Sequence, residues 1–278
     1  MTTTALLTAR PPVHDRTIAQ QSLTVVWRNL LHIKRMPEML LDVTVQSVMF
    51  VLLFAYVFGG SIDVPGAGDY KEFLLPGIMV QTMVFSSAIV AMGLTNDLQK
   101  GIVDRFKSLP MSRSSVLIGR SISSLIHSSI GIFVMGVTGL LIGWRIRGGL
   151  VDAVLGFVLL LLFGFAMIWL GIWVGSLMRT VESVQGFMFT VMFPLTFVAN
   201  TFAPPEAMPS WLRFIAEWNP VSALTQATRQ LWGNGPVAVE GAAWPLHHPV
   251  LVTVAWSIIF TAVFAPLALA AFRRRSRD

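Results

Sequence analysis

Six long apolar runs follow one another along the chain, separated by polar or glycine-rich segments. They cover residues 43–58, 73–94, 121–144, 151–177, 184–200 and 250–272. An α-helix of about 20 apolar residues is long enough to cross the hydrocarbon core of a bilayer. The pattern therefore predicts an all-α integral membrane protein with six transmembrane helices, arranged as one domain over residues 42–272.

The segment before the first run is predicted to hold a further helix that lies on the membrane. Residues 1–16 are expected to be disordered, and residues 17–41 to form an amphipathic helix with one apolar stripe: Leu23, Val26, Trp27 and Leu30. Arg28, Lys34 and Arg35 fall off this stripe. Because the helix is too polar to span, we expect it to lie in the interface plane.

The longest polar interruption, residues 96–120, lies between the second and third runs. It carries five basic residues, and its first part, about 96–111, has apolar positions at helical spacing up to Pro110, which ends the helix. A short amphipathic helix between two spans fits two interpretations. It is either a solvated loop on lipid headgroups or a docking element for a cytoplasmic partner, and the spacing alone favours neither.

The segment from about 201 to 232 is too polar and too rich in proline to span a membrane. Four apolar residues repeat at helical spacing behind Ser210, a favourable N-cap: Trp211, Phe214, Ile215 and Trp218. Asn219 and Pro220 then have the character of an N-cap and the first position of a second short helix. Two short tryptophan-rich helices between two spans predict an interfacial or re-entrant hairpin.

Glycines and prolines inside the runs predict where helices pack closely or are interrupted. Gly139 with Gly143, and Gly171 with Gly175, form pairs of small residues at a spacing of four. This spacing lets the backbones of two membrane helices approach each other closely. Pro194 is expected to break the fifth run, since it removes a backbone donor from the helix.

Composition supports the membrane prediction and gives it an orientation. Of the 278 residues, 54% are hydrophobic and 12% are charged, with a mean hydropathy of +0.69. The net charge of +6 does not indicate nucleic acid, because the basic residues lie in the gaps between the runs. Fifteen of the 20 Lys and Arg fall on the side of the termini and the 96–120 segment, including the basic tail 273–278. The positive-inside rule therefore places both termini and this segment in the cytoplasm, and the hairpin outside.

The sequence carries no motif for nucleotide binding or catalysis. It has no GxxxxGK[ST] loop, no HExxH, no cysteine, and no charged residue in the apolar cores of the runs. We therefore expect no metal site and no catalytic residue. His127 is the one titratable exception within the apolar cores of the runs, and hydrogen bonding with Ser124 and Ser128 is favoured over a proton or substrate role. A transport protein without its own energy source needs a partner, and the cytoplasmic segment is the place where a partner could act.

Several segments match one family of membrane proteins. They are FLLPG at 73–77, KGIVDRFKSLP at 100–110, FPLTFVANTF at 193–202, PPEAMPSWLRF at 204–214 and NPVSALTQATR at 219–229. With these segments, the interfacial helix and the order of six runs, the chain resembles the type-2 ABC exporter permeases, in particular the daunorubicin and doxorubicin resistance permeases of actinobacteria. The resemblance covers nearly the whole chain after residue 16.

The resemblance implies half of a transmembrane dimer, formed with a second copy of the chain or with a paralogous permease. Two copies of a separate ABC ATPase would bind ATP and Mg²⁺, and this chain itself would bind no cofactor. The helix at 17–41 would be the connecting helix. The coupling helix at 96–111 would meet the ATPase through Asp97, Asp104, Arg105, Phe106, Lys107, Leu109 and Pro110. The implied location is the plasma membrane of an actinobacterial cell.

The resemblance also implies where cargo passes. The route would follow the first, second and fifth runs, with these candidates: Gln46, Phe50, Phe54, Met83, Phe189 and Phe193. Ordinary packing or lipid contact is the alternative for each of them. The hairpin would close the route on the outside through Trp211, Phe214 and Trp218. The predicted cargo is hydrophobic or amphipathic: a drug, an antibiotic, a lipid or a glycolipid.

Two other functional classes compete with ATP-driven export. An ATP-independent channel or scramblase-like protein would need a polar or charged ring lining a pore. The runs offer only scattered Ser and Thr and a few larger polar residues: Gln46, Gln81, His127 and Gln185. A membrane-embedded enzyme would need a nucleophile with a base, or a metal cluster, and the sequence shows neither arrangement. Export driven by a separate ATPase is the preferred hypothesis.

Overall fold

The computed structural model describes residues 37–58, 70–101, 113–235 and 241–275, with a few helical positions between 20 and 31. Within these ranges the regular structure is entirely helical. The helices are α1 (Pro37–Leu53, continued by a π-helical turn at Phe54–Phe58), α2 (Tyr70–Gln99), α3 (Arg113–Leu141), α4 (Leu150–Leu177), α5 (Val181–Phe197), α6 (Ser210–Trp218), α7 (Pro220–Trp232), α8 (Trp244–His247) and α9 (Pro249–Arg275). A 3-10 turn at Pro205–Ala207 precedes α6.

Four of the described helices are long and apolar enough to cross a membrane. They are Tyr70–Gln99, Ser114–Leu141, Leu150–Leu177 and Pro249–Arg275. They correspond to the second, third, fourth and sixth apolar runs, so the all-helical, multi-pass class is confirmed. The first two begin before their runs, at Tyr70 and at Ser114.

The helices of the first and fifth runs are shorter than these four. α1 has 17 residues before its π-helical turn, and α5 has 17 residues. At 1.5 Å per residue, 17 residues cover about 26 Å, somewhat less than the hydrocarbon core of about 30 Å. The prediction that Pro194 breaks the fifth run is wrong, because α5 continues through Pro194 to Phe197. A proline is tolerated in a membrane helix where its surroundings accommodate the lost backbone donor.

α2 is the centre of the bundle, and α4 packs along it. α2 also contacts α3, α5 and α7, whereas another face of α4 meets α9. The predicted pair Gly171 and Gly175 is confirmed as the close-packing motif of α4. A methyl group on Gly171 would lie 2.2 Å from the Ser87 carbonyl oxygen, and one on Gly175 would lie 2.6 Å from the Ala91 carbonyl oxygen. The two glycines thus let the backbones of α2 and α4 touch.

The second predicted glycine pair behaves differently. A methyl group on Gly139 would lie 2.2 Å from Leu75 Cδ2, so this glycine does lie at a helix contact. Gly143 lies beyond the end of α3, has a φ of +103° and has nothing within 4 Å of the position of a Cβ. Its role is to reverse the chain after α3, which only glycine does without strain. The prediction that Gly143 packs against another helix is therefore wrong.

The first residues of the predicted coupling helix at 96–111 belong to α2. The residues from Asn96 to Gln99 form the last turn of α2, and Gly101 ends this helix with a φ of +65°. Asp97 accepts a hydrogen bond from Arg120 on α3, and the two side chains form an ion pair. Residues 102–112 lie outside the described residues, and so do these predicted coupling residues: Asp104, Arg105, Phe106, Lys107, Leu109 and Pro110. Residues 1–16 and most of the predicted connecting helix also lie outside them.

The two short helices of the predicted hairpin are present as α6 and α7, joined by one residue. Asn219 caps α7 as expected: its side chain accepts a hydrogen bond from the Val221 backbone nitrogen at 2.8 Å. Ser210 is the first residue of α6, whereas the N-cap position falls on Pro209 and has no side-chain cap, so that prediction is wrong. α6 has a broad exposed apolar face, whereas nearly all of α7 is buried against α2, α4 and α9.

Candidate functional site

A cavity of about 500 Å³ opens among α1, α2, α3 and α5. Its described lining consists of Gln46, Ser47, Phe50, Phe54, Gln81, Thr82, Phe85, Ser86, Ala88, Ile89, Met92, His127, Ser128, Gly131, Met135, Phe189, Phe193 and Phe197. None of these lining residues is Asp, Glu, Lys or Arg. A mainly apolar, aromatic wall with few polar groups is the surface that an apolar or amphipathic ligand requires.

Five of the six predicted route residues meet at this cavity: Gln46, Phe50, Phe54, Phe189 and Phe193. On α1 and its π-helical turn, a spacing of four brings three of them to one face. Met83 is fully buried and faces α4, where a methyl group on Gly164 would lie 2.7 Å from its Sδ. Met83 therefore does not line the cavity. The part that the other five play in transport stays a prediction.

A continuous row of seven phenylalanine rings runs along the cavity: Phe85, Phe189, Phe193, Phe197, Phe202, Phe54 and Phe50. Neighbouring ring centroids in this order lie between 5.0 and 5.9 Å apart. Aromatic pairs at such distances attract each other by about 0.5–1.5 kcal/mol beyond their burial. Because Phe202 lies after the end of α5, the row connects the cavity wall to the segment that leads into the hairpin.

Few polar side chains interrupt this wall. Gln46 on α1 is exposed, whereas Gln81 on α2 is only 4% exposed. On α3, His127 and Ser128 line the cavity, and Ser124 does not. The polar groups that a ligand would meet therefore lie on three different helices.

The three predicted gate residues lie on the exposed face of α6. Trp211, Phe214 and Trp218 are 66%, 64% and 50% exposed. On another face of α6 the buried Glu217 accepts a hydrogen bond from Arg213 Nε at 2.7 Å, and this bond raises the pKa of Arg213. A helix with exposed aromatic rings on one face and paired charged side chains on another is typical of the membrane interface. None of the three rings lines the cavity, so their gating role stays a prediction.

Arg229 on α7 forms the most buried charged site among the described residues. Its side chain donates to three backbone carbonyl oxygens, each at 2.8 Å: Phe73, Asn200 and Thr201. Its guanidinium carbon lies 3.4 Å from the centroid of the Phe73 ring. Burial lowers the pKa of Arg229 to about 9, so the guanidinium stays charged at neutral pH. The three carbonyl dipoles and the ring face stabilise that charge.

Three of the segments that carry the family resemblance meet at Arg229: residues 73–77, 193–202 and 219–229. Gly77 lets the backbone at Thr201 approach α2 closely, because a methyl group on Gly77 would lie 2.8 Å from the Thr201 carbonyl oxygen. Sequence reasoning placed Arg229 among the basic residues of the outer side and missed this role. The available signal was that Val221 and Thr225 share a helical face with Arg229 and are apolar or weakly polar. We call this cluster the Arg229 junction.

Four helices long and apolar enough to cross a membrane, together with a mainly apolar, aromatic cavity beside them, indicate a multi-pass helical membrane protein with room for an apolar molecule. Comparison with protein families then resolves the class. The family model described as "ABC-2 type transporter" matches residues 20–231. The chain belongs to the ABC-2 type transporter family.

Individual relatives agree with this assignment. The daunorubicin resistance ABC transporter permease protein DrrB1 of Streptomyces coeruleorubidus is 31% identical over 260 residues, covering 94% of this chain and 88% of the relative. The probable doxorubicin resistance ABC transporter permease protein DrrC of Mycobacterium tuberculosis is 24% identical, with coverage of 84% and 80%. The probable multidrug ABC transporter permease YbhR of Escherichia coli K12 is 22% identical, with coverage of 74% and 54%. The chain is thus the transmembrane permease subunit of an ABC exporter, and its family implies an ABC ATPase as partner.

Proposed function

We propose that this permease exports hydrophobic or amphipathic molecules through the aromatic cavity, powered by ATP hydrolysis on a separate subunit. The observation that carries the proposal is the cavity itself, whose walls combine a row of phenylalanine rings with a few uncharged polar groups. Buried apolar surface supplies most of the affinity for such a ligand, and isolated polar groups orient it. The names of the relatives, which refer to daunorubicin, doxorubicin and multidrug resistance, support drug-like cargo.

The proposed assembly contains two permeases and two copies of the ATPase subunit. Each chain crosses the cell membrane six times, with α1 and α5 as the two shorter spans, both termini in the cytoplasm and the hairpin outside. The distribution of basic residues supports this orientation. The segment 96–111 meets the ATPase, and the ion pair between Asp97 and Arg120 ties the two helices that carry it. Nucleotide and Mg²⁺ are bound by the ATPase.

The cavity is tested by removing one of its rings. Phe189→Ala removes a ring whose centroid lies 5.9 Å from that of Phe85 and 5.6 Å from that of Phe193. The change also removes one aromatic contact that the ring could make with the drug, worth about 0.5–1.5 kcal/mol, so we expect drug-stimulated ATP hydrolysis by the permease–ATPase complex to need about threefold to tenfold more drug. The measurement is the half-stimulating concentration of daunorubicin in lipid nanodiscs.

The matched control for Phe189→Ala is Phe187→Ala, on the same helix. Phe187 is 43% exposed and does not line the cavity, so this change should leave the half-stimulating concentration as in the wild type. If Phe189→Ala and the wild type respond identically at equal expression, the cavity is not the binding site.

Docking of the ATPase is tested at Phe106 in the 96–111 segment. Phe106→Ala removes the large apolar side chain that would fill a groove of the ATPase, at a cost of about 1–3 kcal/mol. We expect the ATPase recovered with the affinity-tagged permease to fall by about fivefold or more, while the permease still enters the membrane. Phe133→Ala is the control, because Phe133 lies within α3 and is 70% exposed. Equal recovery with Phe106→Ala and with Phe133→Ala would favour the alternative, in which the segment rests on lipid headgroups.

A further inference from the structure

One lining residue carries an unsatisfied polar group. The amide oxygen of Gln81 on α2 is buried and has no hydrogen-bond partner among the described residues. Gln81 is 4% exposed and belongs to the cavity lining. Burying a polar group without a partner costs about 1–3 kcal/mol. A buried group of this kind in a transmembrane helix indicates a function that offsets its cost.

The neighbouring hydroxyls on α2 present acceptors as well. Thr82 Oγ1 lies 3.0 Å from the Ile78 carbonyl oxygen, and Ser86 Oγ lies 2.7 Å from the Met83 carbonyl oxygen. Each hydroxyl has one proton, which these bonds use, so only oxygen lone pairs remain to face the cavity. With Gln81, the α2 wall offers three acceptor oxygens.

The rest of the lining restricts the ligand further. The described lining contains no carboxylate, and His127 is its one titratable side chain, so a cationic ligand would lose its hydration without gaining an ion pair. The rings of Phe85, Phe189 and Phe193 offer aromatic faces beside the α2 wall. The chemistry that satisfies both features is a flat apolar ring system with an uncharged hydrogen-bond donor.

We infer that Gln81 is the specificity-determining residue of the cavity, and that it selects ring compounds bearing a hydroxyl or a neutral N–H group. The inference rests on the proposed function, since it takes the cavity as the binding site. A site built to accept a hydrogen bond rejects an analogue that lacks the donor, because its own buried oxygen then stays unpaired. Gln81 would therefore give ligands of the same shape different binding affinities, according to whether they carry a hydrogen-bond donor.

The experiment uses two probes of nearly equal shape, pyrene and 1-hydroxypyrene. The full-length chain in lipid nanodiscs is titrated with each probe, and binding is followed by energy transfer from the nine tryptophans of the chain to the pyrene ring. Partition into lipid is measured with empty nanodiscs and subtracted. We expect the wild type to bind 1-hydroxypyrene about threefold to tenfold more tightly than pyrene, as one hydrogen bond to a buried acceptor allows.

Gln81→Leu should abolish this preference, so that both probes bind with about the affinity of pyrene for the wild type. The thermal unfolding midpoint should be unchanged or higher, because leucine removes an unsatisfied amide from a buried position. Gln185→Leu is the matched control: Gln185 is exposed on α5, outside the cavity lining, and this variant should keep the wild-type preference.

The outcomes separate the inference from the proposed function. If the wild type binds both probes equally, or if Gln81→Leu keeps the preference, the role of Gln81 is overturned and the cavity stands as a binding site. A lower unfolding midpoint for Gln81→Leu, with the preference intact, would assign Gln81 a purely structural role. If neither probe binds the wild type, the cavity as a binding site and the role of Gln81 fall together.

Discussion

Replacing Arg229 by leucine is expected to destabilise the permease more than replacing any other charged residue among the described ones, because Arg229 is the most buried of them. The variant leaves three buried carbonyl oxygens, those of Phe73, Asn200 and Thr201, without the donors that now lie at 2.8 Å. A buried acceptor left without its hydrogen bond typically costs about 1–3 kcal/mol. Part of this cost is recovered because the charge no longer needs to be desolvated, so we expect a net loss of about 3 kcal/mol.

The measurement is the thermal unfolding midpoint in nanodiscs, together with the amount of protein in the membrane. Arg229→Lys should fall between the wild type and Arg229→Leu, because an ammonium group keeps the charge but does not reproduce the planar fork that reaches three acceptors. Arg145→Leu serves as the control, since Arg145 is exposed. A midpoint for Arg229→Leu within one degree of the control would show that the Arg229 junction contributes nothing to stability.

The second large effect is expected where α4 touches α2. Gly171→Ala places a methyl group 2.2 Å from the Ser87 carbonyl oxygen, a distance that no relaxation of a flexible side chain can relieve because the obstacle is backbone. The two helices must separate, and overpacking of this kind costs about 1–3 kcal/mol or more. We expect a lower unfolding midpoint and a smaller monodisperse fraction in size-exclusion chromatography.

The control for Gly171→Ala is Gly186→Ala on α5. At Gly186 nothing lies within 4 Å of an added Cβ, so the same change meets open space. Its midpoint should be equal to or higher than that of the wild type, because alanine is favoured over glycine inside a helix. The close contact between α2 and α4 would be refuted as a stabilising feature if both alanine variants unfolded at the same temperature.

The long helices could be predicted from the sequence because the length of an apolar run indicates whether it can form a membrane-spanning helix. α4 and α9 follow long apolar runs, and the glycine pair at 171 and 175 marks a packing face through its spacing of four alone. Local patterns also predicted the Asn219 cap, since a cap depends only on its own few residues. Gly139 and Gly143 have the same spacing, yet the end of α3 falls between them, and helix ends are poorly marked in an apolar run.

The candidate site was predictable only in part. The spacing of Phe50 and Phe54 identified one face of α1, but which helices complete the wall is a long-range property that no local pattern carries. Met83 shows the limit, because α2 is buried on nearly all sides and its apolar residues do not distinguish the cavity from α4. Arg229 was missed for a related reason. Its three acceptors lie 156, 29 and 28 positions away in the sequence, so only the folded chain brings them together.

The row of seven phenylalanines has a consequence for the release of a bound molecule. An aromatic ring that moves from one phenylalanine of the row to the next replaces one ring contact by another of the same kind, so the free-energy change of each step is close to zero. Successive positions from Phe85 to Phe202 are then nearly equal in energy, and the profile between them is shallow. A molecule moving along such a profile meets no deep minimum that would retain it. If the cavity is the export route proposed above, the row of rings would let a bound molecule move along it without being retained at one position.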